Sequence, residues 1–279
     1  MREAPDAPLA GHLGLACDLL THLPAKVWWA EDPATNDKAL IPALLRWLHP
    51  NSLLVFDLGY FAFTFFDQLT AASCWFVTRL REKTSYTVEQ VLINRPHVRD
   101  RIVHLGNYAA NPSTYPVRLV EVYLGGQWHR YVTNVLDPQR LSVVEVVEVY
   151  SWRWQIETAF LLVKRLLDLA YLWVGSLNGV QLQVWATWLF YAVLIDLCDD
   201  VAEVLQLPVA RISVEMVYRG LYHSVQACAG GYVGSAAAYL GHPDQADLGI
   251  VKRRRRRNKP SPLVQVRLAL EAPALVGPT

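Results

Sequence analysis

The sequence predicts an α/β fold in which a mixed-sheet core is interrupted by an antiparallel β insertion and followed by C-terminal helices. Three patterns predict it. Up to about residue 83, apolar strand-like runs alternate with segments of helical spacing, the mark of strand–helix layers. From Thr84 to Val135 the alternation has a period of two, as half-buried strands require. From Ser142 onward the apolar residues recur at helical spacing.

Each element has a local reason. His12 to Leu20 and Ala25 to Trp29 are short apolar runs around His22-Leu23-Pro24, which predicts an antiparallel hairpin. Lys38 to Leu48 has helical spacing, with Pro42 forcing an irregular first turn. Ser52 to Asp57 is a continuous apolar run ending in an acid, and reads as a buried central strand. Phe61 to Ala72 reads as a helix and Cys74 to Arg79 as a second buried strand. In the insertion, the strands VRLVEVYL and QWHRYVTN flank Gly125-Gly126, a two-residue hairpin turn. Ser142-x-x-Glu145 has the form of a capping box, and helical spacing then continues to about Leu169. A further long helix is expected from Val180 to about Leu205. The expected organisation is therefore 1–83, first part of the core; 84–135, β insertion; 136–205, helical remainder of the core; 206–240, C-terminal helical segment; and 241–279, flexible basic tail.

Composition narrows the function. At 53% hydrophobic and 18% charged, 279 residues bury a sizeable core, which excludes a wholly disordered chain. The formal net charge of +1 conceals a concentrated cation: seven of the 26 Lys and Arg residues fall between Lys252 and Lys259. With those seven set aside, 19 basic residues face 25 acidic ones, a net of −6. That argues against a uniform nucleic-acid coat and for a local anionic partner. The four cysteines lack C-x-x-C spacing and read as reduced thiols in a cytosolic protein. The apolar run Val180 to Leu197 is long enough to span a membrane, but Gln181, Gln183 and Asp196 interrupt it, so a buried core helix and no membrane partner are expected.

The segment Tyr150 to Lys164, YSWRWQIETAFLLVK, carries the chemistry. Tyr150, Arg153 and Lys164 lie seven before, four before and seven after Glu157, on one face of a helix that is otherwise mostly apolar. A polar stripe of this kind faces a cleft or is buried with partners; the plainer alternative is an Arg153–Glu157 pair with two exposed polar residues. Asp57 ends an apolar strand and precedes Leu58-Gly59-Tyr60, the location at which α/β sheets bind ligands, or else it caps the helix that follows.

Taken together, DLGYF at 57–61, the Y-x2-R-x3-E-x6-K pattern at 150–164 and the all-β segment between them resemble the insertion-sequence DDE transposases, the group with an RNase H-like core, a β-strand insertion and the YREK signature. The resemblance runs from about His12 to about Ile195. It implies DNA transposition by two-metal phosphoryl transfer, in which carboxylates hold two Mg²⁺ or Mn²⁺ ions. By resemblance Asp57 is the second acid and Glu157 the third, both metal-holding. Arg153 and Lys164 are DNA-phosphate contacts, and Tyr150 is a further contact to the transposon end. Trp128 is a candidate for stacking a flipped base, with a core tryptophan as the plain alternative. The implied partners are DNA, as transposon ends and target, and a second copy in a homodimeric synaptic complex. The implied location is bacterial, cytoplasmic and nucleoid-associated.

One departure shapes the expectation. Relatives carry the first acid on a strand upstream of the hairpin, and no such acid is recognisable here. Glu3 and Asp6 lie in a Pro-containing lead without strand character, and Asp18 lies in the second-strand segment, outside the first-acid context. The chain therefore resembles an N-terminally truncated, inactive copy. The alternatives are a non-catalytic remnant that binds DNA or a partner transposase, and a small membrane protein built around residues 180–197.

Overall fold

Alternating side chains between Tyr86 and Thr133 build most of a six-stranded sheet in the computed structural model, which describes residues 11–169, 171–252 and 260–274. In chain order the first elements are β1 (His12–Cys17), β2 (Pro24–Ala30), α1 (Ile41–Trp47), β3 (Leu53–Val55), α2 (Phe63–Ala71) and β4 (Trp75–Arg79). The insertion supplies β5 (Tyr86–Arg95), β6 (Val98–Leu105), β7 (Val117–Leu124) and β8 (Gln127–Thr133). The helices α3 (Val143–Trp152), α4 (Trp154–Arg165), α5 (Leu177–Val204), α6 (Val214–Ala229), α7 (Ala236–Leu240) and α8 (Pro262–Glu271) follow. The chain divides into two units, one of residues 35–154 with 257–279 and the other of residues 1–34 with 155–256.

In the first unit the strand order is β3-β4-β8-β7-β6-β5, with β3 and β4 parallel and the remaining pairs antiparallel. The insertion expected at 84–135 is therefore not a separate sheet: β8 pairs along β4 and extends the core sheet without a break. Gly125 and Gly126, at φ of 60° and 90°, make the expected β7–β8 turn in a region closed to most side chains. Val120, Val122, Val146 and Tyr150 form a core under α3, and Val266 of α8 joins it. That helix corrects the expectation of a flexible tail from 241 onward. Ser261 caps it by accepting from the Val264 N–H, Pro262 opens it, and Val266 is fully buried. The Pro and Gly content of the segment hid a ten-residue amphipathic helix. The basic run lies, from Arg253 to Lys259, outside the described residues, as do Glu3 and Asp6.

The strand from the run Ser52–Asp57 is also corrected. β3 has three residues, stands first in the strand order, and pairs with β4 alone among the described residues. Leu53 is 40% exposed, while Phe56 is buried among Phe65, Phe66 and Phe76. A continuous apolar run reports burial on the α2 side and does not report how many neighbours the strand has.

Alternation would turn the charged residues of β6 and β7 outward, but several lie inside. Arg118 and Asp100 are fully buried and pair through two bonds, Nε to Oδ1 at 2.8 Å and Nη2 to Oδ2 at 2.6 Å. Arg118 Nη1 also donates to the Leu141 carbonyl at 2.5 Å, one residue before the Ser142 cap of α3. Glu121, likewise buried, bonds Arg101 and Arg130. The Asp100–Arg118 pair is bonded twice, as buried charge requires, while the Arg101 Nε has no hydrogen-bond partner.

In the second unit β1 and β2 form the expected hairpin. The Asp18 carboxylate accepts from the Leu20 and Thr21 N–H groups, each at 2.8 Å, so that acid caps the turn. Val27 packs with Ala159 and Val163 of α4 and with Val184, Trp188 and Tyr191 of α5. The expected first domain, 1–83, is thus divided: its hairpin belongs with α4 and α5, and the rest belongs with the sheet. The helix expected from Val180 is α5, but only one face of it is buried. Leu182, Leu189 and Val193 are exposed on another face, at 70%, 69% and 54%. By length and composition α5 could cross a membrane, and a third of its apolar window is buried inside the protein.

Removing one member of the buried pair leaves a charge without compensation. Arg118→Ala is expected to lower the unfolding free energy by about 3–5 kcal/mol in a denaturant titration, whereas the double substitution Asp100→Leu with Arg118→Met costs much less than Arg118→Ala.

Candidate functional site

The strand end at β3 sets the position of Asp57. Thr78 of β4 is buried and its hydroxyl donates to the Phe56 carbonyl at 2.9 Å, which pins the residue before the acid. Asp57 then leaves the sheet in an extended conformation, and its Oδ1 accepts from the Gly59 N–H at 2.9 Å. The carboxylate caps a short 3-10 turn, Leu58–Tyr60, and remains exposed. Capping and exposure are compatible, since one carboxylate has about four acceptor positions.

Gly59 makes room for a second acid. A Cβ placed on it would lie 2.4 Å from Asp37 Oδ2 and 3.0 Å from Asp57 Oδ1. Asp37 opens the 3-10 turn Asp37–Leu40, which Asn36 caps, ahead of α1. Both acids act on Tyr60, whose phenol is pushed well above its ordinary value by burial first, then by Asp37 and by Asp57. Sequence reasoning missed Asp37. It stands twenty residues from Asp57 with no local pattern linking the two, and the one available signal was the glycine in Asp57-Leu58-Gly59.

Tyr150 is buried on α3 and packs against Tyr131 of β8, ring centroids 5.2 Å apart. Its phenol is raised by burial; the positive charges of Arg153 and Arg79 and a hydrogen bond with Arg153 oppose the rise, and Asp57 adds to it. Asp57, Arg153 and Arg79 thus all act on Tyr150, and all four belong to one unit. The Arg153 guanidinium lies 5.9 Å from the Tyr150 ring centroid and 5.3 Å from that of Trp154.

The continuous helix expected through 150–164 is broken at Arg153, between α3 and α4. Ser151 Oγ donates to the Glu148 carbonyl at 2.6 Å, a local bond that competes with helix propagation, and three bulky rings crowd the same turn. Tyr150 therefore rides on α3, while Glu157 and Lys164 ride on α4 in the other unit. Both are exposed, on a helix whose Ala159 and Val163 are buried. The Lys164 ammonium lies 5.7 Å from the Phe160 ring, which packs edge-on to Trp188 at 5.4 Å.

Trp128 stands on β8 beside the Gly125-Gly126 turn. It is half-buried, with the Arg99 guanidinium 4.7 Å from its ring centroid and the Tyr123 ring edge-on at 5.5 Å. Trp128 is thus half-buried at the sheet surface, with a cation near its ring and a tyrosine edge-on to it, and is not a core residue.

Asp37 and Asp57 offer hard oxygen donors of the kind Mg²⁺ and Mn²⁺ take, around the gap that a side chain on Gly59 would fill. Among the described residues no group of three or more His, Cys, Asp or Glu is gathered as a metal site.

The buried phenols give the protein an alkaline limit. Tyr131 is pushed up to about 12 by burial, from an ordinary value of 10. Below pH 10 it is neutral in both folded and unfolded chains, and its contribution to stability is complete. Between pH 10 and 12 the unfolded chain gives up a proton that the native chain keeps, so stability falls. Thermal midpoints are expected to drop over that interval, and Tyr131→Phe removes part of the drop.

A family model described as Transposase DDE domain matches residues 10–193. No curated protein matches the chain.

Proposed function

The chain belongs to the transposase DDE-domain family, and on that premise we propose that it is a copy of a transposase for DNA transposition of an insertion sequence by two-metal phosphoryl transfer, one that binds the element's DNA without cutting it. The observation that carries this reading is the setting of Asp57: an exposed carboxylate at the end of β3, held by a backbone bond, in the same electrostatic neighbourhood as Tyr150, Arg153 and Arg79. Asp57 and Glu157 are the carboxylates assigned to Mg²⁺ or Mn²⁺. The ion supplies Lewis acidity toward the phosphodiester and lowers the pKa of a bound water.

The remaining residues bind and orient DNA. Arg153 and Lys164 carry fixed positive charge for phosphate oxygens, Arg153 with the planar fork that permits two bonds at once. Tyr150 keeps its phenol neutral at physiological pH and contacts the transposon end as a hydrogen-bonding group. Trp128 stacks an unpaired base, supported by its half-exposed ring between Arg99 and Tyr123. Lys252 and the basic residues after it add a further electrostatic contact to DNA. The chain works as a homodimer on paired ends, in a bacterial cytoplasm and associated with the nucleoid; the exposed apolar residues of α5 support self-association.

Fluorescence anisotropy with a duplex carrying the element's end tests the reading. Affinity is expected to fall steeply with salt, and Arg153→Ala and Lys164→Ala are each expected to weaken binding and lower the salt slope by about 1. With Asp57 and Glu157 as its two identified family acids, the 279-residue polypeptide alone is expected to bind without cutting. Affinity that ignores salt and both substitutions would contradict the assignment.

A further inference from the structure

We propose that the exposed face of α5 is a two-fold interface between copies of this chain, with the two helices antiparallel about a point between residues 187 and 188. The proposal rests on the homodimer put forward above and gives it a surface. Leu182, Ala186, Leu189 and Val193 succeed one another at steps of four, three and four, which sets them on one stripe of the helix. All four are exposed, while Val184, Trp188 and Tyr191 are buried on the opposite side. Trp185 and Phe190 flank the stripe, one on each side, at 45% and 42% exposure. Large apolar side chains left uncovered together on one helix face mark an interaction site.

The pattern of the stripe selects a second copy as its occupant. Steps of four, three and four read the same in both directions. In an antiparallel pair they bring Leu182 opposite the partner's Val193 and Ala186 opposite the partner's Leu189, so the patch complements itself, as a two-fold interface requires. The small Ala186 side chain leaves room for the longer leucine. Charge fixes the direction. α5 holds no Lys, Arg or His, and Asp196 and Asp200 continue the stripe toward its C-terminus, both exposed. A parallel pair would set these acids against their own copies. An antiparallel pair sets them beside the first turn of the partner's helix, after Ser176, where the helix dipole is positive. One rim of the stripe is built in advance: Gln183 accepts from the Trp173 N–H at 3.0 Å and donates to the Tyr171 carbonyl at 2.6 Å, and Trp173, Val174 and Phe190 line a groove there. A bilayer surface fits less well, because helices that lie on anionic lipid carry cations on their polar face and α5 carries none.

Sedimentation equilibrium of the full chain without DNA tests the interface, and a monomer–dimer equilibrium is expected. Leu189→Glu and Ala186→Glu, both at exposed positions, are each expected to raise the dimer dissociation constant by at least about tenfold, with near-ultraviolet circular dichroism and thermal midpoints unchanged. Orientation is read by oxidising a mixture of Leu182→Cys and Val193→Cys chains, both also carrying Cys228→Ser, and mapping the disulfides by mass spectrometry. Links between position 182 of one copy and 193 of the other are expected. A dimer that both glutamate substitutions leave intact, or links from 182 to 182, would overturn the antiparallel α5 interface and leave the homodimer to another surface. A chain that stays monomeric at every concentration would overturn both, and binding to anionic lipid vesicles that Leu189→Glu abolishes would overturn the interface in favour of a membrane. None of these readings involves DNA, so the DNA contacts proposed above stand or fall separately.

Discussion

The candidate site depends on β4. This strand pairs in parallel with β3 on one edge and antiparallel with β8 on the other, and Phe76, Val77 and Thr78 at its centre are fully buried. Asn134 locks it in place. Its side-chain oxygen accepts from the Phe76 N–H at 2.9 Å, and its amide donates to the Cys74 carbonyl at 2.8 Å and to Thr70 of α2 at 3.0 Å. Thr78 then holds the Phe56 carbonyl. Asn134, Phe76, Cys74 and Thr78 are buried, and their polar groups would be costly to leave unpaired. The β3 end, and with it Asp57, is therefore set by the buried centre of β4, whose last residue is Arg79.

The insertion stabilises the other half of that site. Arg118, paired with Asp100 inside the sheet, reaches the Leu141 carbonyl at the foot of α3. The capping box of Ser142 and Glu145 fixes the first turn of α3, and Tyr150 and Arg153 follow at its far end. The orientation of Tyr150 and Arg153, the pair proposed to contact DNA, is in this way tied to buried charges within the sheet. For the phosphate contacts proposed here, such a coupling would supply preorganisation.

Local patterns carried most of the fold. The hairpin at 12–30, the Gly125-Gly126 turn and the Ser142 cap were legible because each depends on a few adjacent residues whose conformational preferences are strong. Long-range pairing was not legible. The sequence of β8 does not reveal that its partner is β4, and the run at β3 does not reveal how many strands flank it. The buried Arg118 and Glu121 contradicted the alternation because their compensating charges, Asp100 and Arg101, come from the neighbouring strand. The break at Arg153 escaped a reading based on spacing because a seven-residue interval survives one distorted turn. The site residues Asp57, Tyr150, Arg153, Glu157 and Lys164 came from resemblance, not from periodicity. Asp37 escaped because only tertiary structure brings it to Gly59.

Asp57 and Glu157 are each proposed to hold metal. The most direct test loads the chain with Fe²⁺ in place of Mg²⁺ and generates hydroxyl radicals at the bound ion with ascorbate and peroxide, mapping the backbone cuts by mass spectrometry. Cuts clustered near residues 57 and 157, suppressed by excess Mg²⁺ and lost near 57 in Asp57→Asn, are the expected result. Cuts scattered along the chain, or a pattern that neither Mg²⁺ nor the substitution alters, would contradict it.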